Sequence, residues 1–152
     1  MINEGDNVPK FELSDANGKN VKSSDLKGKK HVIYFYPRDF TAGCTTEADE
    51  FSKDYKKFQK EGIEIIGISP DDVESHKKFC DKMGIKYPLL ADTEKEVSKK
   101  FGVWGKKKFM GREFMGTIRS TFLINKGKVV KIWSPVRVKD HAKEVLEAAQ
   151  AL

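Results

Sequence analysis

Apolar and polar positions change their period several times along the chain, and each change marks an element. Val32 to Tyr36 is an unbroken run of β-branched, aliphatic and aromatic residues. Apolar side chains fall on odd and even positions alike, which predicts a strand covered on both faces. Pro37 ends it, and Arg38 to Gly43 reads as a short loop. From Cys44, apolar residues recur at helical spacing through Phe51, Tyr55 and Phe58, which predicts a helix to about Glu61, with Gly62 in a left-handed cap. Ile63 to Ser69 repeats the buried-strand pattern, and Asp71 or Asp72 is placed to cap a helix running to Met83 and stopped by Gly84. The four elements make a βαβα unit with parallel strands and a right-handed crossover.

Shorter patterns flank this unit. Phe11, Glu12 and Leu13 alternate, Asn17 and Gly18 supply a turn, and Val21 starts a return strand, so a small hairpin closed by Gly28 precedes the unit. After it, Tyr87 to Ala91 is extended, and Thr93 with Glu96 forms a capping box for a helix ending near Phe101. Gly102 to Gly116 reads as a long irregular loop. Thr117 to Ile124 is a strand, Asn125 to Gly127 a tight turn, and Lys128 to Trp133 the antiparallel partner. Asp140 starts a last helix with Val145, Leu146 and Ala149 as its apolar stripe. Hairpin, βαβα, helical insertion, then ββα is the order of a thioredoxin-like α/β fold, a mixed central sheet flanked by helices. With 152 residues the expectation is one domain, 1–152.

Composition narrows the chemistry. The formal net charge is +6, yet 34% of residues are charged and the signs are interleaved, the pattern of a solvated surface. The dense basic run Lys106, Lys107, Lys108 and then Arg112 lacks a coherent face or motif, so nucleic acid is not assigned as a partner. No run approaches the roughly 20 apolar residues that cross a bilayer, and Met1 to Lys10 does not resemble a signal peptide, so no membrane role and a cytoplasmic location are expected. Two cysteines are no disulfide framework; in a reducing compartment a sparse pair points to catalysis or redox chemistry. Cys44 lies where a buried strand turns into a helix, at the carboxyl edge of the sheet, where ligand sites collect and a helix start favours a thiolate.

Pro37, Thr41 and Cys44 form a PxxxTxxC pattern, and the segments TAGCTTEADEF, IIGISPDD, FCDKMGIKYPLLAD, KKFGVWG and RSTFLI agree with it in order and spacing. Over nearly its whole length the chain resembles the peroxiredoxins, in the peroxiredoxin Q or bacterioferritin comigratory protein branch. The resemblance implies a thiol peroxidase acting on hydrogen peroxide and organic hydroperoxides, recycled by a thioredoxin-like dithiol, with no cofactor and a monomeric state. It carries Thr41, Cys44 and Arg119 over as the catalytic set, Pro37 as the residue that shapes the loop, and Glu47 in a supporting, orienting role. Taken alone, Thr41 is equally a helix cap and Arg119 an edge side chain. Ala42 stands where the family often has proline. Ionisation alone does not make a thiol fast: lowering its pKa from ~8.5 to ~6 gains about 30-fold in thiolate at neutral pH and gives back about 13-fold in nucleophilicity. Positioned donors around the departing oxygen must supply the rest.

Many relatives carry a resolving cysteine five residues after the first, a position that is Asp49 here. Others carry it on the next helix, and by that resemblance Cys80 is the resolving thiol; without it, a buried free cysteine is simply a small hydrophobe. About eight residues into its helix, Cys80 is expected ~12 Å below the sheet edge. A disulfide needs Cα atoms within about 7 Å. Oxidation is therefore expected to unwind the first turn around Cys44, part of the Cys80 helix, or both. His76 and Cys80 stand at metal-ligand spacing, but only Cys44 offers a third ligand and no metal is assigned. His31 and His141 have no evident partner. Phe109, Met110, Phe114 and Met115 form either an apolar wall for organic hydroperoxides or a loop packed on the core. Two rival readings remain: a dithiol oxidoreductase, disfavoured by TAGC in place of CxxC, and a basic binding or holdase protein with a relic site.

Overall fold

The computed structural model describes residues 1–152. In chain order it contains β1 (Glu12–Ser14), β2 (Asn20–Lys22), a 3-10 turn at Ser23–Leu26, β3 (Lys30–Phe35), α1 (Ala42–Lys60), β4 (Ile63–Ser69) and α2 (Val73–Met83). These are followed by β5 (Leu89–Ala91), α3 (Glu96–Phe101), β6 (Trp104–Phe109), β7 (Arg112–Thr117), β8 (Ser120–Asn125), β9 (Lys128–Trp133) and α4 (His141–Gln150). Seven strands form one mixed sheet in the order β2-β1-β5-β4-β3-β8-β9. β3 pairs in parallel with β4, and β4 with β5, while β8 runs antiparallel to β3.

β3 is buried on both faces, as its unbroken apolar run requires. Val32, Tyr34 and Tyr36 face one core with Cys44, Phe51 and Phe58 of α1, Phe79 of α2 and Val145 of α4. Ile33 and Phe35 face a second core with Phe101 of α3, Leu26, Ile66 and Phe122. Each of these fully covered large side chains contributes about 2–3 kcal/mol by leaving water.

The segment read as a long loop is instead a two-stranded hairpin of β6 and β7. Its connection is Met110–Gly111, both at positive φ (51° and 79°), the geometry of a two-residue turn whose twist suits a hairpin. Its alternating Lys and Phe/Met residues form no buried face, so the periodicity carried no strand signal. Phe109, Met110, Phe114 and Met115 are 47–88% exposed, which excludes packing on the core. The same region corrects a second boundary: Thr117 ends β7 rather than opening the next strand, and Ile118–Arg119 is a break before β8.

The capping box at Thr93 and Glu96 is also absent. Asp92 caps α3 instead, its carboxylate accepting from the Val97 and Ser98 amides at 3.2 and 2.8 Å and from the Ser98 hydroxyl. Lys95, in the left-handed region, is the residue that enters the helix. By contrast Asp72 caps α2 as expected, accepting from Ser75 N at 2.8 Å, and Gly84 ends it with φ 67°.

Candidate active site

α1 begins at Ala42 rather than Cys44, with Thr41 as the extended residue before it. Thr41 Oγ1 does not cap an α1 amide; it donates to the Arg38 carbonyl at 2.8 Å and so braces the loop on itself. The Cys44 side chain therefore lies in the first turn, where backbone N–H groups lack helical partners and the dipole is positive. Cys44 is 1% exposed and unbonded to Cys80.

Phe35 pairs with Ser120 across β3 and β8. Arg119, one residue before β8, consequently stands at the sheet edge from which β3 runs on to Pro37 and Cys44. Its carbonyl is fixed by Val136 N at 2.9 Å. The guanidinium spans two partners, with Nη2 donating to Cys44 Sγ at 3.3 Å and Nη1 to Glu47 Oε1 at 2.7 Å. Arg119 is thus a fixed, largely covered cation, and not an edge side chain in solvent. Gly43 makes room for it, since a Cβ there would lie 3.1 Å from Arg119 Nη2.

Charges in this cluster are set mainly by burial. Desolvation pushes the Glu47 carboxyl up to about 7, although Arg119 pulls the other way. Its second oxygen, Oε2, is buried without a hydrogen-bond partner. For Arg119, burial opposes the charge, but Glu47 and then Cys44 outweigh it and hold the guanidinium above its ordinary pKa. Lys107 is a further cation that the sequence did not single out for the site. Its Nζ donates to the Thr117 carbonyl at 2.9 Å, and burial first, then Arg119, lower its pKa while Cys44 raises it. The signal would have been strand alternation in β6, which puts Lys107 on a different face from Lys106 and Lys108.

Cys80 lies on α2, half-buried against the same core as Cys44. Burial, then the nearby Asp39 carboxylate, push its thiol up to about 11, so at neutral pH it is held protonated. His76 does not join the two cysteines as a ligand set. The groups that converge with it are Asp39 and Asp71, whose polar atoms lie within 4.8 Å of one another. The other two histidines do have partners: His141 Nε2 lies 2.8 Å from Thr121 Oγ1, and His31 Nδ1 lies 3.4 Å from the Lys29 carbonyl. A cavity of about 930 Å³ opens beside His31 and Gly127 at the far end of β3 from Cys44, and so takes no part in this cluster.

Comparison with known proteins agrees with the geometry. The AhpC/TSA family model matches residues 4–132. Peroxiredoxin Bcp of Bacillus subtilis (strain 168) is 47% identical over 147 residues, 96% of this chain and 94% of that protein. Among solved structures, Xanthomonas campestris peroxiredoxin Q superposes with a TM-score of 0.88 at 40% identity, covering 93% of this chain and 90% of that one. A Cys→Ser variant of Xylella fastidiosa PrxQ gives 0.94 at 34% identity, covering 99% and 97%. The proteins this chain is similar to are named peroxiredoxins, which favours the thiol peroxidase over the dithiol oxidoreductase and the holdase. The chain belongs to the AhpC/TSA family, as a thiol-dependent peroxidase of the peroxiredoxin Q (bacterioferritin comigratory protein) branch.

Proposed function

We propose that Cys44 is the peroxidatic thiol, Cys80 the resolving thiol, and Thr41, Arg119, Glu47 and Pro37 the groups that make the first fast. The observation that carries this reading is the Arg119 fork, one nitrogen on Cys44 Sγ and the other on Glu47. A guanidinium so held stabilises sulfur as thiolate and stays in place as charge moves to the departing oxygen, which costs no reorganisation. Because the Thr41 hydroxyl hydrogen is engaged by the Arg38 carbonyl, its lone pairs are left to accept from the peroxide O–H and aim the distal oxygen.

In the reaction the Cys44 thiolate attacks one peroxide oxygen. An S–O bond forms, the O–O bond breaks, and the departing alkoxide or hydroxide takes up a proton. Cys44 is left as a sulfenic acid. Cys80 then displaces the sulfenic oxygen, forming the S–S bond and releasing water. A thiol held protonated in the folded helix is a weak nucleophile. Local opening of α2 would free Cys80 both in reach and in ionisation. A thioredoxin-like dithiol reduces the disulfide, and a monomer of one domain in the cytoplasm suffices, since both thiols lie on one chain. Phe109, Phe114 and Met115 on the exposed hairpin are suited to contact the organic part of alkyl hydroperoxides; a relative, the Xanthomonas campestris bacterioferritin comigratory protein, has been studied for alkyl peroxide reduction.

The test is intact mass after one equivalent of peroxide. The wild type should lose two hydrogens and Cys80→Ser should gain one oxygen. A stable oxygen adduct in both would remove Cys80 from the mechanism, and an unchanged mass in both would remove Cys44.

A further inference from the structure

Between the loop that carries Thr41 and the helix that carries Cys80 lies a buried polar cluster with no part in the chemistry above. Asp39 is 4% exposed and His76 fully covered. Asp39 accepts from the Tyr36 hydroxyl at 2.6 Å through Oδ1, and from the Ser75 hydroxyl and His76 Nδ1, each at 2.8 Å, through Oδ2. Three polar partners, two of them hydroxyls on different elements, thus converge on its two oxygens. His76 faces a second acceptor, the Leu90 carbonyl, 3.0 Å from Nε2. Each ring nitrogen of His76 thus faces an acceptor, Asp39 on one side and the Leu90 carbonyl on the other. Asp71 completes the cluster by accepting from the Asp39 amide at 2.8 Å and from the Ser69 hydroxyl at 2.6 Å. These contacts run within the cluster and join the loop of Asp39, the end of β4 and the first turn of α2.

The next residue extends the same junction. Phe40 holds φ 66°, a left-handed conformation that a bulky side chain adopts only when its surroundings impose it. Its ring packs edge-on against Phe79 with centroids 5.1 Å apart, and Lys82 Nζ stands 5.9 Å from its centre. Two successive loop residues are thus tied to Ser75, His76, Phe79 and Lys82, the residues that bracket Cys80 on α2.

We propose that the buried Asp39–His76 contact is a latch that fastens the peroxidatic loop to the resolving helix, making both positioning residues that set the balance between peroxide attack and disulfide formation. The proposal rests on the reading of Cys44 and Cys80 given above. While the pair is closed, the loop from Arg38 to Gly43 is braced and the site is assembled for peroxide. For Cys80 to approach the Cys44 sulfenic acid, α2 must part from the loop. A contact shielded from water opens as a unit, because a buried polar group left without its partner is costly. Weakening the latch should therefore favour resolution and disfavour attack.

The decisive experiment is amide hydrogen exchange on the reduced protein, which does not depend on Cys80, combined with stopped-flow oxidation. In Asp39→Asn, amides of Val73–Met83 should exchange at least tenfold faster while those of β3 and β4 change less than twofold. Disulfide formation after one equivalent of peroxide should accelerate by a similar factor, with no rise in the rate of Cys44 oxidation. Should Asp39→Asn not fold, Tyr36→Phe removes a single donor from the carboxylate and should show the same pattern at a few-fold. Unchanged exchange in α2, or an acceleration shared equally with β3 and β4, would overturn the latch. A wild type that forms no disulfide would instead overturn the role of Cys80, and the exchange pattern would still decide the latch.

Discussion

Arg119 donates to Cys44 across 3.3 Å while its other terminal nitrogen is held by Glu47, so the sulfur is faced by a cation that cannot swing away. Lysine keeps the charge but has no fork to span the two partners. Arg119→Lys should slow oxidation of Cys44 by roughly 100-fold, and Arg119→Met by more, in line with removal of a preorganised donor. Stopped-flow measurement of thiol loss checks this; a change under threefold in Arg119→Met would remove the guanidinium from catalysis.

Gly43 permits that approach. A methyl group there would sit 3.1 Å from Arg119 Nη2, which must give by only a few tenths of an ångström and can do so while its other nitrogen stays on Glu47. Gly43→Ala should therefore leave the melting temperature unchanged or slightly raised, since alanine is the better helix former by up to about 1 kcal/mol. The rate with peroxide should fall about tenfold as the guanidinium is displaced from sulfur. Calorimetry and stopped-flow on one preparation separate the two effects.

Two buried groups tilt stability with pH in opposite directions. Glu47 is pushed by burial from its usual 4.5 up to about 7. Over that window the unfolded chain has released a proton that the native protein keeps, so this group makes stability fall as pH rises. His141 is lowered by burial from 6.5 to about 4. There the unfolded chain binds a proton that the native protein refuses, so stability rises with pH up to about 6.5 and is lost on acidification. His31, also lowered by burial, adds to the second side. The wild type should show a shallow profile between about pH 4.5 and 6.5. Glu47→Gln should expose a rise of about 1–2 kcal/mol over that range, and His141→Gln a fall, at a full slope of about 1.4 kcal/mol per pH unit per group. Urea unfolding at three pH values reads all three, and identical profiles would show that burial does not control these protons.

The elements that were legible in the chain are those whose side chains are covered. β3 and β4 carry continuous apolar runs, α1 a helical stripe, and Asp72 and Gly84 the chemistry of a helix start and stop, so each was readable locally. The β6–β7 hairpin was not, because its strands bury neither face and its turn uses Met110 where asparagine or glycine would have signalled it. Asp92 was missed as a cap because it lies before the residue that enters α3, so the chain between must curl for its carboxylate to reach back. Cys44 stands out at the junction of a buried strand and a helix, whereas Thr41 and Arg119 are legible only through the family pattern; β8 running antiparallel to β3 is what brings Arg119 to the same edge. Asp39 and His76 meet only in the fold, one on a loop and the other on a helix, with no local pattern to announce the pair.

The amino-terminal residues run along β9: Gly5 N donates to the Val129 carbonyl, Val129 N to the Asp6 carbonyl, and Asn7 bridges to Lys128. At the opposite rim β2 is three residues long, with Asn20 and Lys22 turned to solvent. One margin of the sheet is sheathed and the other is short and charged, which leaves no lengthy template onto which a foreign strand could zip. On the proposed cycle, in which helices loosen, the seven-stranded sheet keeps both its margins closed to strand addition.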